Sequence, residues 1–285
     1  MLDNYLREAT REGLLKIPER RNPDFQYALY SAQSAYARSG AEDLGDLLVQ
    51  LLIDRAKVQE RDLKQIILNE SLAVAPKLTP DQLDALSLIF LHRYFRFGGV
   101  ESLADLHAHL EEFYFPFLDG ASRNYSAYQH LEYVGCGGMS AVELESTKPF
   151  TQQYAGLFTK GFPESELNMH LTAGQKSGLL IPCRRDDSML QIDAVYEESI
   201  DELCNRLGID PLSLPRLRQV QVQNIMRSEE VEDDLTKALP WIAEFFRLWN
   251  GTAMRVMTLT SVGTIIAHAN IKRKTGEDID LTSWL

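Results

Sequence analysis

Across residues 1–100, apolar side chains recur every three or four positions between strong helix caps, and this spacing restricts that part of the chain to a bundle of helices. Asn22-Pro23-Asp24 is a start signal. Asn22 can accept from a free N–H of the first turn, and Pro23 suits the first helical position. The helix that follows carries Leu29, Ala32, Tyr36 and Ala37 and stops at Ser39-Gly40, where glycine tolerates the left-handed conformation. After Glu42, a single stripe contains Leu44, Leu47, Leu48, Leu51 and Leu52, and Leu63, Ile66, Ile67 and Val74 repeat the pattern. Thr79-Pro80-Asp81-Gln82 reads as a capping box, with Gln82 reaching back to the cap, ahead of Leu83, Leu86, Ile89 and Phe90. Gly98-Gly99 ends that helix.

Ser102 opens another helix, with Leu103, Leu106, Leu110 and Phe113 on one side, leading into the cluster Phe113, Tyr114, Phe115 and Phe117. A shorter helix is expected over about 125–134, then a flexible loop at Gly135-Cys136-Gly137-Gly138, a helix over 148–158 and a linker at Gly161-Phe162-Pro163. The texture then changes. Residues 179–183 and 189–195 read as two strands around Arg184-Arg185-Asp186-Asp187-Ser188. Ile200, Leu203, Cys204 and Leu207 mark a helix ended by Gly208, and a further helix is expected over 215–226. The acidic run from Glu229 to Asp234 suits a first helical turn, and Pro240 is expected to kink or restart the helix. Residues 255–259 read as a short strand, and Thr260 caps a final helix with Lys272-Arg273-Lys274 near its end.

The expected fold is mainly α: a helical bundle over 1–160, then an α+β domain over 161–285 with short strands and winged-helix-like elements. The strand, Thr-x-x-Gly turn and apolar helix at the end resemble the close of a winged helix, and the hairpin at Arg184-Arg185 would be its wing.

Charge narrows the function classes. Lys and Arg number 29 against 41 Asp and Glu, a formal charge of −12. Such a surface repels phosphate backbones and anionic lipid, so nucleic acid is disfavoured as a partner. No apolar run is long enough to span a bilayer, so no membrane insertion is expected. The N-terminus lacks the continuous apolar core of a signal peptide. Three cysteines, far apart and odd in number, fit a reducing cytoplasm better than a disulfide framework.

No catalytic, cofactor-binding or metal-binding signature emerges. Cys136 sits between glycines with His130 six residues earlier, which raises a cysteine hydrolase as one reading, but a nucleophile needs a positioned base and a lowered pKa. A small buried thiol in a tight turn is the plainer interpretation. His107 and His109 are two apart and do not share a helix face, so a solvated face is expected rather than a metal pair. The glycines form no phosphate loop. A DNA-reading helix would draw on Arg216 and Arg218, with Arg184 and Arg185 on the wing, but the acidic run follows at once. Trp241, Phe245 and Trp249 form one stripe beside a second of Ile242 and Phe246. One stripe is expected inside its own domain. The other is expected against a second surface, either the N-terminal helices or another chain, which makes Trp241, Phe245, Phe246 and Trp249 the candidate interface.

Several stretches carry a family resemblance: NPDFQYALYSAQSAYARSGAEDLGDLLVQLLIDRA, ILNESLAVAPKLTPDQLDALSLIFLHRY, SAYQHLEYVGCGG, YAGLFTKGF and LTSVGTIIAHANIKRKTGEDIDLTSWL. Together they resemble an uncharacterised bacterial family related in pattern to the abortive-infection alpha proteins. The resemblance implies a role in defence against phage and carries over no catalytic residue. Members with a longer N-terminal extension rich in Gly, Asp, Asn and Ser would make this a short or trimmed chain. The leading expectation is a non-enzymatic sensor or adaptor acting through protein contacts. Its partner would be a phage component, a defence-system protein or a second copy of the chain. A winged-helix DNA-binding regulator and a cysteine hydrolase are the alternatives.

Overall fold

The computed structural model describes residues 1–14, 22–58 and 60–279. The helices are α1 (Leu2–Arg11), α2 (Pro23–Ser39), α3 (Glu42–Ala56), α4 (Leu63–Val74), α5 (Pro80–Arg93), α6 (Leu103–Phe113), α7 (Phe115–Leu118) and α8 (Tyr125–Tyr133). They continue as α9 (Lys148–Gln153), α10 (Glu164–Leu167), α11 (Ala173–Leu179), α12 (Glu197–Leu207), α13 (Leu214–Gln223), α14 (Ser228–Ala238), α15 (Ile242–Gly251) and α16 (Ser261–Thr275). Short strands β1 (Gly137–Met139), β2 (Leu180–Pro182), β3 (Leu190–Ile192) and β4 (Met257–Leu259) form two antiparallel pairs, β1 with β4 and β2 with β3. The fold is mainly α with a small α+β part. Among the described residues, no helix is long and apolar enough to cross a membrane.

Local chemistry sets many of the ends. Asn22 Oδ1 accepts from the Asp24 N–H at 2.9 Å, and Gly40 and Gly208 close α2 and α12 at φ +68° and +61°. Gln82 Oε1 accepts from the Thr79 N–H at 3.1 Å, and Thr260 Oγ1 accepts from the Gly263 N–H at 3.2 Å. The helix expected over 148–158 is shorter, stopping at Gln153.

The chain divides into two interleaved units in place of a boundary near residue 160. The first holds residues 1–95, 111–143 and 248–285, and the second 96–110 and 144–247. In the first, α16 returns from the far end of the sequence to pack on α3, α4 and α5. Residues 82–92 of α5 and 263–272 of α16 are buried on every face. The spacing of Leu83, Leu86, Ile89 and Phe90 predicts one apolar stripe for α5, but a central helix has no solvent side. Asp84, Ser87 and Asn270 in these helices are matched to one another and to Lys274: Asp84 accepts from Lys274 Nζ at 2.7 Å and from Asn270 Nδ2 at 3.2 Å, and Asn270 also bonds Ser87 Oγ at 3.0 Å. The strand and helix at the chain's end thus complete the first unit and do not close a winged helix, since β4 pairs with β1 and not with the hairpin. At that join Gly263 lies so close to Cys136 that an added Cβ would sit 1.9 Å from its carbonyl oxygen.

Among the described residues of this unit, one charged side chain is fully buried. Arg55, at the end of α3, is 0% exposed. Its guanidinium donates to Asp24 Oδ2 at 2.5 Å, to Asn69 Oδ1 at 2.8 Å and to the Val58 carbonyl at 3.0 Å, joining α2, α3 and α4. Asn69 Nδ2 also donates to Asp24 Oδ2, at 3.0 Å.

The second unit packs the β2–β3 hairpin with α12 and α13 around Phe162, Leu179, Ile192, Ile200, Leu203, Leu217 and Val220. The Tyr154 hydroxyl accepts from the Phe97 N–H at 2.8 Å.

The Arg55 cluster generates a two-part expectation. Asp24→Ala leaves a buried guanidinium with two of its three partners and should cost about 3 kcal/mol in urea unfolding. The bonds from Arg55 and then Asn69 hold the Asp24 carboxyl below the ordinary 3.8. A depressed folded value means stability that is present above the unfolded pKa and lost as pH falls through the folded one. The gap in stability between the wild type and Asp24→Asn should therefore be full at pH 6 and shrink below about pH 4. A gap independent of pH would show that Asp24 is not the acid-sensitive partner.

Candidate functional site

In the first unit α2 turns Phe25, Ala28 and Ala32 inward, so helical spacing turns Tyr27 and Tyr30 outward. They are 71% and 67% exposed. Leu72 and Ala73 of α4, Pro76 and Lys77 of the 3-10 turn that follows it, and Leu44 of α3 face α2 across a groove of about 630 Å³. Ser31, Ser34, Arg38 and Ser39 complete its α2 side. The Arg55 cluster lies at one end of the same α2–α4 pair and fixes the spacing of the two helices. The groove is open and polar-edged, with two large aromatic faces and two cations, and it holds no acid–base pair.

Sequence reading did not single out Tyr27 and Tyr30. The available signal was their position: two tyrosines three apart, on the face opposite the Phe25, Ala28 and Ala32 stripe.

The residues that sequence reading did single out are used internally. Cys136 is buried, its N–H bonds the Leu131 carbonyl and its carbonyl accepts from the Thr260 N–H. The expected flexible loop is thus the start of a strand pair. Burial pushes the Cys136 thiol up to about 12, far from thiolate at neutral pH. His130 Nδ1 lies 3.0 Å from Gln82 Nε2, engaged with α5. His107 and His109 do not form a solvated face. His109 stacks on Phe97 at 4.9 Å, and burial lowers the pKa of His107. Among the described residues no group of three or more His, Cys, Asp or Glu side chains is placed to hold a metal ion.

The four arginines considered for nucleic acid all have partners in the second unit. Arg185 pairs with Asp234 through two bonds at 2.5 and 2.8 Å, and its guanidinium lies over Phe158. Arg184 Nη2 lies 3.9 Å from Asp193. Arg218 Nη2 donates to both Asp201 oxygens, at 2.9 and 2.7 Å, and its Nε lies 3.3 Å from Glu197. Arg216 bonds the Leu167 and Glu166 carbonyls. They are not gathered as an open basic face.

The aromatic helix α15 is internal on both stripes. Phe245, Phe246 and Trp249 are buried, and Trp241 is half-buried. Phe246 meets Phe150 edge-on at 6.5 Å in the second unit, and Trp249 meets His92 at 4.4 Å in the first. These side chains are packed as core, so α15 offers no free aromatic stripe to a partner.

Two outcomes follow. Iodoacetamide at neutral pH should leave Cys136 unmodified while the chain is folded and label it once the chain is unfolded in urea. Rapid labelling of the folded chain would contradict the burial. Phe246→Ala should cost about 3–5 kcal/mol as a core truncation and leave the mass in light scattering unchanged. A change in mass without loss of stability would return Phe246 to an interface.

No curated protein and no solved structure matches this chain. One protein-family model does, over residues 1–285, and its description assigns no activity; the chain belongs to that family.

Proposed function

We propose that the protein is a non-enzymatic adaptor that works through protein contacts, with the α2–α4 groove as its contact surface. The observation that carries this reading is the pair Tyr27 and Tyr30, both more than two-thirds exposed on one helix face beside Leu72 and Pro76. Tyrosine and arginine are the side chains most enriched at binding hot spots, and both border this groove. Support also comes from what the rest of the molecule does with its reactive groups. Cys136, Cys183 and Cys204 are free and buried, and the candidate nucleic-acid arginines are matched by acids and carbonyls of the chain. Buried free thiols favour the cytoplasm as its compartment. The resemblance to abortive-infection alpha proteins supports placing the adaptor in phage defence, and it is the sole support for that part.

The test is quantitative pull-down with the full chain from infected and uninfected cells, comparing wild type, Tyr27→Ala/Tyr30→Ala and Tyr133→Ala. Tyr133 is exposed but lies outside the groove, so it serves as the control. The double variant should keep its stability within about 0.5 kcal/mol, as surface substitutions do, and lose a partner that the Tyr133 variant retains. Identical partners in all three would reject the groove as the contact surface. Identical partners with and without infection would reject the link to phage defence.

A further inference from the structure

The charge of the groove is unlike that of the chain. In a protein with 41 acidic and 29 basic residues, the groove's lining holds Arg38 and Lys77 and no carboxylate. Among the described residues neither cation has an ion pair or a side-chain hydrogen bond. Some cations elsewhere are paired within the chain, Arg55 with Asp24, Arg185 with Asp234, Arg218 with Asp201 and Lys274 with Asp84, while Lys64, Lys148, Arg206 and Lys237 are unpaired among the described residues but do not line this groove. Arg38 and Lys77 are left open at the end of the groove where Pro76 and Ser39 also lie.

The apolar surface extends beyond the groove. Leu63, Ile66, Ala73 and Lys77 fall on one exposed face of α4 and the turn after it, with Leu63 68% and Ile66 47% exposed. At the helical rise this face runs about 20 Å, longer than a single nucleotide or other small anion. Glu70 lies on it between Ile66 and Ala73, which confines the carboxylate-free section to the Lys77 end. A cationic end with tyrosine walls and an apolar continuation complements a peptide that alternates carboxylates with aliphatic or aromatic side chains.

We propose that the α2–α4 groove seats an acidic, apolar-studded segment of a partner protein, its carboxylates at Arg38 and Lys77 and its apolar side chains against Tyr27, Tyr30 and Pro76. This rests on the protein-contact reading above and adds the chemistry of the partner.

The experiment is selection of a displayed library of random twelve-residue peptides on the full chain, followed by anisotropy titration of the enriched peptide carrying a fluorescent label. The enriched pool should be net acidic with aromatic or aliphatic residues. Arg38→Glu/Lys77→Glu should weaken the peptide at least tenfold in a chain that stays folded at the titration temperature, and added salt should weaken it in the wild type. A basic or neutral pool, or affinity within twofold of wild type in that variant, would overturn the acidic assignment. If Tyr27→Ala/Tyr30→Ala abolishes binding of such a non-acidic pool, the contact reading stands and the acidic assignment alone fails. If no pool is enriched, or if labelled oligothymidine or adenosine monophosphate binds at these residues instead, both fail. A dimer in light scattering that dissociates in Arg38→Glu/Lys77→Glu would make the occupant a second copy of the chain and overturn the separate partner.

Discussion

The Arg55 guanidinium is the fixed point of the first unit's α2, α3 and α4. A fully buried cation is tolerated only when its N–H groups are met, and here the partners come from three places: Asp24 at the start of α2, Asn69 in the middle of α4 and the Val58 carbonyl just past α3. Each bond constrains one helix relative to the others. Apolar packing alone would allow α2 to slide along α3, because small side chains such as Ala28 and Ala32 slide at little cost. The directional bonds of a planar guanidinium allow far less movement. The width of the groove that α2 shares with α4 therefore depends on a polar contact some way from the tyrosines.

A second constraint acts at the chain's end. Helix α16 fills the centre of the first unit, and its polar groups Asn270 and Lys274 pair with Asp84, which is 186 and 190 residues distant in sequence. The close approach of Gly263 to the Cys136 carbonyl sets the depth at which α16 enters. Until α16 is present, α5 carries a buried-type surface with Asp84 unpaired, a costly arrangement. The unit therefore cannot complete its core before the last segment of the chain is available, and its folding depends on contacts of long sequence separation.

This division between local and distant chemistry also explains which features were legible in the sequence. The caps at Asn22, Thr79 and Thr260 and the glycine stops at Gly40 and Gly208 are decided within a few residues, and each was readable. So were the β2–β3 hairpin and an interruption of the helix at Pro240, though not whether it would be a kink or a restart. The pairing of β1 with β4 was not readable, because Gly138 and Thr258 are 120 residues apart and three-residue strands have no usable alternation. The winged-helix reading of the C-terminal end failed for that reason: a strand followed by a capped helix looks the same whichever strand it joins. Arg55 looked like an ordinary charged residue near a helix end, since nothing local marks Asp24 and Asn69 as its partners. The aromatic run of α15 was visible, but an apolar helix reads alike whether its second stripe meets the same chain or another.

Exposed tyrosines are by themselves ordinary, and Tyr133 shows as much, being 87% exposed outside the α2–α4 groove. Tyr27 and Tyr30 differ because they stand on a helix that Arg55 holds in place. A surface that is ordered before a partner arrives loses less conformational entropy on binding than one assembled on contact. Tyrosine adds to this, since it presents a large rigid face with few rotatable bonds. The same logic applies to the open cations. Arg38 lies in the last turn of α2 and Lys77 ends the turn after α4, positions where positive charge is already favoured by the helix dipoles. Their stability requires no acid from the chain, so they can remain unpaired in a protein of net charge −12 without cost to the fold. The groove thus combines a spacing set by buried polar bonds with charges left open at its rim, and for the proposed acidic partner the first property would give the second its specificity.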